Sequence, residues 1–290
     1  CPPGLPSGPP PLQSIARPER CQARTGKMRH DFKGGPMRAI FLTLCLLLAG
    51  TAAAQPMAAT AAGTLVVGSS SNRIAGSGRT VDDMRTPGAF SAIRVSGPID
   101  VELKASEREH VTVRFDDNLV ALVESHVTTD ATPALEIRLQ PGASFRSAGT
   151  PKVIVEFKSI SSLAMSGSGD VHADAVRGPL LAVSVSGSSD VKIDRLDVDV
   201  LGVSIAGSGD FTAAGRAAEQ GYSVAGSGDI KTDNLVGQTV KVRIAGNGDA
   251  RVHAEQMLTV SIAGSGDVVY RGTPVIKKSV AGSGEVRKAN

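Results

Sequence analysis

The sequence predicts an all-β fold: a right-handed parallel β-helix, or solenoid, with coils of roughly 20 residues and an irregular N-terminal β cap. Three observations carry this expectation. One four-residue phrase returns at nearly constant spacing, aliphatic residues alternate on either side of it, and the units at both ends depart from the pattern. A fixed period in this range is the mark of stacked repeats.

The phrase reads Gly167-Ser168-Gly169-Asp170, Gly187-Ser188-Ser189-Asp190, Gly207-Ser208-Gly209-Asp210 and Gly226-Ser227-Gly228-Asp229. It continues as Gly246-Asn247-Gly248-Asp249, Gly264-Ser265-Gly266-Asp267 and Gly282-Ser283-Gly284-Glu285. Its first glycines are 20, 20, 19, 20, 18 and 18 residues apart. Small residues able to take positive φ make it a tight corner. Around the corners stand Val183-Ser184-Val185, Val203-Ser204-Ile205, Val242-Arg243-Ile244 and Val260-Ser261-Ile262. Such period-two alternation is that of half-buried strands. One coil cannot bury its aliphatic face; stacked coils can, with about 4.8 Å between rungs. The right hand follows from the twist rule for parallel crossovers.

The acids Asp170, Asp190, Asp210, Asp229, Asp249 and Asp267 would stand one rung apart. Two unit charges at that distance repel by a little under ~1 kcal/mol in a water-like dielectric, so the column needs relief. The favoured reading is that each Asp accepts hydrogen bonds from N–H groups of its own turn. The alternative is a row of calcium ions between rungs. Calcium-binding nonapeptide repeats carry a denser signature than one Asp per coil, which favours the structural reading.

Residues 1–36 are proline-crowded and aperiodic. Met37-Arg38, the apolar run 39–49 and Ala52-Ala53-Ala54 before Gln55 form the pattern of a secretory signal peptide over residues 37–54. The simplest account is that translation begins at Met37 and that residues 1–36 are not native. All three cysteines (Cys1, Cys21, Cys45) precede Gln55, so no disulfide is expected after cleavage. Seven of the 31 Lys and Arg and two of the 28 Asp and Glu fall in residues 1–54, leaving 24 basic and 26 acidic residues. That balance, and the absence of Trp, speak against a nucleic-acid protein.

Residues 55–88, rich in Ala, Gly, Ser and Thr, read as a flexible linker. The domain proper is expected over 89–288, with a capping part at 89–160 and regular repeats at 161–288. In the capping part, Val95-Ser96-Gly97-Pro98-Ile99-Asp100-Val101 aligns with residues 165–171 as a degenerate first coil. One helical turn is expected after Asp117-Asn118. At the other end, Pro274, Lys277 and Lys278 read as a closed edge that resists pairing with another molecule.

These residues resemble the bacterial GIN-domain family, the head domain of auto-transporter adhesins. The resemblance rests on residues 90–97 (FSAIRVSG), the recurring Gly-Ser-Gly-Asp turns, Tyr270-Arg271-Gly272-Thr273-Pro274-Val275 and residues 279–284 (SVAGSG). It covers roughly residues 88–288 and implies an exported right-handed β-helix of the cell envelope.

No enzyme is expected. A catalytic constellation is local and singular, whereas these acids repeat. His110, His126, His172 and His253 are scattered, with no pair at metal-ligand spacing. Gly207-Ser208-Gly209 and its kin lie between strands, so they are not nucleophile elbows. Arg195, Arg243, Arg251 and Arg271 can line a face that attracts anionic glycans, although scattered surface charge is the plainer account. The expected function is a non-catalytic binding or adhesion-like module for a carbohydrate or an envelope protein, without a cofactor. The alternatives are a solenoid stiffened by calcium and, third, a polysaccharide-active β-helix enzyme. Residence in the periplasm, on the outer membrane or outside the cell follows from the signal peptide. No aromatic-rich strand series for an outer-membrane barrel is seen.

Overall fold

A computed structural model describes residues 73–289. The expectations for residues 1–36, 37–54 and 55–72 lie outside the described residues. The rest is a parallel β-solenoid of about six turns, with coils of about 20 residues. Among the described residues no helix is long and apolar enough to cross a membrane.

Coil upon coil, the register repeats without slip on one face. The inward column runs Leu135, Ile93, Leu163, Val183, Val203, Tyr222, Val242 and Val260, each paired with the next across parallel strands. All eight are buried. A second column on the same face runs Ile137, Val95, Met165, Val185, Ile205, Val224, Ile244 and Ile262. The face beyond the corners is built alike, from Val153 through Val101, Val171, Val191, Phe211, Ile230 and Ala250 to Val268. Period-two alternation thus places one aliphatic set inside and one polar set outside.

Stacking order departs from chain order at the N-terminal end. The strands Ala92–Gly97 and Asp100–Ala105 form one rung, with Ser162–Gly167 and Val171–Ala173 on one side of it. On its other side lie Ala134–Leu139 and Lys152–Phe157. The aligned segment 95–101 is therefore a coil in the expected register, but it is the second rung and not the first. The outermost rung is covered by antiparallel strands. Val123–Val127 pairs with Ala134–Leu139, His110–Asp116 pairs with Lys152–Phe157, and Thr80–Arg85 pairs with His110–Asp116. The expected helical turn is a 3-10 turn at Val120–Leu122.

Residues 73–88 correct the linker expectation. Ile74–Ala75 and Thr80–Arg85 are strands, the latter tied down by its charged residues. Arg85 donates to the carbonyls of Val120 and Val123 and to Ser125 Oγ, and its Nε lies 2.8 Å from Asp83 Oδ2. Arg114 makes a two-pronged contact with Asp82 at 2.7 and 2.8 Å. A strand held by ion pairs shows no aliphatic alternation, and so it reads as loop.

Among the described residues nothing covers the opposite end. The strand Val275–Gly282 is exposed throughout, and among the described residues nothing pairs with its outer edge. Two lysines stand at core-column positions of that end. Lys278 occupies the inward column after Val260, and Lys288 follows Val252 and Tyr270 on the other face.

One polar cluster sits inside the coils. Tyr222 is fully enclosed, and its hydroxyl donates to Gln220 Oε1 at 2.9 Å. Gln220 Nε2 in turn donates to the carbonyls of Ala217 and Leu235, both at 3.2 Å. Burial pushes the Tyr222 phenol well above its ordinary value of 10.0, and a hydrogen bond with Thr232 opposes that only in part. The folded state therefore holds this proton more tightly than the unfolded state, so stability should fall as pH rises past about 10. In a Tyr270→Phe background, tyrosinate absorbance should rise only together with unfolding. Tyr222→Phe should cost about 1–3 kcal/mol in urea denaturation, because Gln220 Oε1 loses its donor in a dry interior.

Candidate functional site

The Gly-Ser-Gly-Asp corners stand in vertical register. Gly167, Gly187, Gly207, Gly226, Gly246, Gly264 and Gly282 pair one with the next. At Gly207, φ is +137°, and a Cβ would run into the carbonyl oxygen of Gly187. At Gly209 it would run into the carbonyl of Ser189. The two turns with a side chain at that second position behave differently. Gly97 and Gly187 have φ of 105° and 112°, against 136–145° for the other first glycines of the column. The smaller angle goes with Ile99 and Ser189 both being wholly buried. Ser189 Oγ has no hydrogen-bond partner there.

The acids form a continuous ladder whose partners differ from those expected. Each carboxylate accepts from the backbone N–H of the acid in the next coil, and not from its own turn. Asp100 Oδ1 accepts from Asp170, Asp170 from Asp190, Asp190 from Asp210 and Asp210 from Asp229, at 3.2, 3.1, 2.8 and 3.0 Å. Asp229 accepts from Asp249, Asp249 from Asp267 and Asp267 from Glu285, at 3.0, 2.8 and 2.8 Å. Each side chain thus replaces a main-chain acceptor that the corner has turned away. At the last described corner Glu285 donates its N–H to Asp267, and among the described residues no backbone N–H donates to its own carboxylate. Repulsion along the column is relieved by Lys231, whose Nζ lies 2.6 Å from Asp210 Oδ2 and 3.9 Å from Asp229 Oδ2. The hydrogen bond to Asp210 holds the Lys231 ammonium above its ordinary pKa.

Among the described residues no group of three or more His, Cys, Asp or Glu is placed to hold a metal ion. The histidines are apart: His172 meets Asp194 at 2.7 Å, His253 meets Glu255 at 2.8 Å and His126 meets Glu136 at 3.3 Å. His110 lies in the strand His110–Asp116 of the cap. The four arginines are not brought to one face. Arg195 leans on the carbonyl of Asp174, and Arg251 and Arg271 line a hollow near the uncovered end, together with Arg287.

Arg243 stands at a groove that sequence reasoning missed. A depression of about 550 Å³ crosses the outer face of five coils. Its floor is Ser162, Ala182, Gly202 and Gly221, paired in that order, and the next residue in the column is Lys241. Beside the floor runs a row of hydroxyls, Ser184, Ser204 and Ser223, which ends at Arg243. Leu180 and Val200, two residues before Ala182 and Gly202, are exposed. Unlike the corner glycines, Gly202 and Gly221 are not required by the backbone. A Cβ at Gly202 would meet nothing within 4 Å, and one at Gly221 only the Leu201 carbonyl at 3.9 Å. The sequence signal was a glycine in mid-strand, which weakens a strand and marks a place where something approaches closely.

No protein of curated function matches the chain. Several solved structures do. One described as a putative adhesin from Bacteroides fragilis has a TM-score of 0.71 at 23% identity, covering 74% of this chain and 100% of its own, and shows the fold alone. A putative lipid binding protein from Parabacteroides distasonis has a TM-score of 0.62 at 26% identity, with 75% and 100% covered. A putative adhesin from Parabacteroides merdae has 0.58 at 25%, with 75% and 99% covered. Residues 89–274 match the family described as "Putative auto-transporter adhesin, head GIN domain". With most of the solenoid inside that match, the chain belongs to the GIN-domain family.

Proposed function

We propose that the protein is an exported, non-catalytic adhesion-type module of the cell envelope whose contact surface is the groove over Gly202 and Gly221. The ligand class it suits is an extended carbohydrate chain. The observation that carries this reading is the pair of mid-strand glycines that the fold does not need. Glycine there forgoes about 0.5–1 kcal/mol of strand stability, so an outside requirement is the physical reason to keep it. The serine hydroxyls recur at the rung spacing of about 4.8 Å, comparable to the rise of one sugar unit. Their flat row can bond successive units of a chain laid along the solenoid axis. The adhesin descriptions of the family and of the Parabacteroides merdae structure support this reading.

The test fills the groove without touching the fold. Gly202→Gln and Gly221→Gln each place a side chain in open space, at φ values that any residue adopts. Both variants should melt at or slightly above the temperature of the unaltered protein. On a glycan array, the polysaccharide that the unaltered protein retains should be bound at least tenfold more weakly by either variant. Equal retention by the filled and open grooves, or no retention by any of them, would remove the groove as the contact surface.

A further inference from the structure

The geometry points to the uncovered end of the solenoid as a strand-addition site for an extended acidic segment of another protein. This surface is separate from the groove and does not depend on it. Its strand Val275–Gly282 leaves one edge of backbone N–H and C=O groups without a sheet partner among the described residues. Such an edge is a template for one more strand. The three residues at core-column positions are Ile276, Lys278 and Val280, which continue Leu258, Val260 and Ile262. Ile276 and Val280 are 37% and 39% exposed here, whereas the residues they follow are buried. The edge thus offers a pattern of aliphatic, cation, aliphatic at every second residue.

That pattern selects its occupant. A second copy of the chain can pair antiparallel with the first about a two-fold axis. The register that sets Ile276 against Val280 then sets Lys278 directly against Lys278. Like charges opposite one another destabilise a strand pair, and here they would also be removed from water. An anionic bilayer suits the charges of Lys277, Lys278, Arg287 and Lys288, but it leaves the edge backbone groups unbonded in hydrocarbon at several kcal/mol each. A foreign strand reading aliphatic-x-acid-x-aliphatic satisfies all three requirements. It bonds the edge, continues both aliphatic columns and places a carboxylate opposite Lys278.

Short synthetic peptides test this against the full chain by isothermal titration calorimetry. One carries Val-Thr-Glu-Thr-Val between soluble flanks, a second has Lys in place of Glu, and a third has Pro in place of the first Thr. The Glu peptide should bind at least tenfold more tightly than the Lys and Pro peptides. Lys278→Glu should reverse the preference between the Glu and Lys peptides, and Lys278→Gln should abolish it. Lys278 is exposed, so circular dichroism and melting should be unchanged in both variants. Equal binding of the Pro peptide would show attraction by charge alone and overturn strand addition. So would a charge preference that ignores residue 278, or the absence of binding by the Glu peptide. Retention on anionic phospholipid vesicles that Lys278→Gln abolishes, with no peptide bound, would give the surface to lipid instead.

Discussion

Gly207→Ala should cost the fold about 3–5 kcal/mol, most of it from two independent causes. The first is local: φ of +137° is a conformation that a residue with a Cβ rarely holds. The second is steric, because the added methyl meets backbone. Besides the carbonyl oxygen of Gly187, its carbonyl carbon and nitrogen lie 3.0 and 3.1 Å from the Cβ position. A flexible side chain could swing aside, but a rung in a hydrogen-bonded stack cannot. The coils must part at that corner, and Ser208 then loses its 2.9 Å bond to the Gly187 carbonyl. Because solenoid stability is a sum over neighbouring rungs, the break should also divide the cooperative unit. Urea denaturation should therefore show a lower midpoint and a shallower slope. Gly202→Ala, five residues away on the same strand, is the control: no strain, no contact and a change within about 1 kcal/mol in the stabilising direction.

Lys278→Val, combined with Lys288→Val, should convert the uncovered end into an adhesive one. In the unaltered protein, any coil or copy stacked on the last rung must bury ammonium groups at two core-column positions. Burial of an unpaired charge is costly enough to forbid the contact. With valine at both positions the columns Val242, Val260, 278 and Val252, Tyr270, 288 become aliphatic or aromatic to the end. Each buried valine side chain then adds about 1.5–3 kcal/mol to end-to-end contact. Relief of about 3 kcal/mol corresponds to roughly 100-fold tighter association. Sedimentation velocity across a concentration series should show the double variant shifting to dimers where the unaltered protein does not. An unchanged sedimentation profile would mean that something other than these lysines keeps the edges apart.

Period, corner chemistry and even the alignment of residues 95–101 with 165–171 were legible because each is a local demand repeated many times. Glycine recurs where a backbone atom of the preceding coil sits, and valine recurs where the column is dry. The partner of each acid was not legible. A carboxylate that accepts from its own turn and one that accepts from 18–20 residues away look the same in sequence, and only stacking distinguishes them. The strand Thr80–Arg85 was hidden because its inward side is secured by Arg85 and Asp83 instead of aliphatics. The groove was hidden for a related reason: Gly202 and Gly221 look like a minor lapse in a strand until the corner glycines show what a structurally required glycine looks like. The cap could not be ordered from sequence, since nothing local says that residues 134–157 lie outside 92–105.

That inversion has a consequence for how the chain assembles as it emerges N-terminus first. The strands at 92–105 arrive with neither of their flanking rungs available, and nearly thirty residues separate them from the next parallel partner at 134. Their ladder can close only after residue 157 has been made, whereas every later coil finds its platform already waiting. A chain truncated before that point should be a sticky, half-paired fragment, and one truncated after it a shorter but sound array.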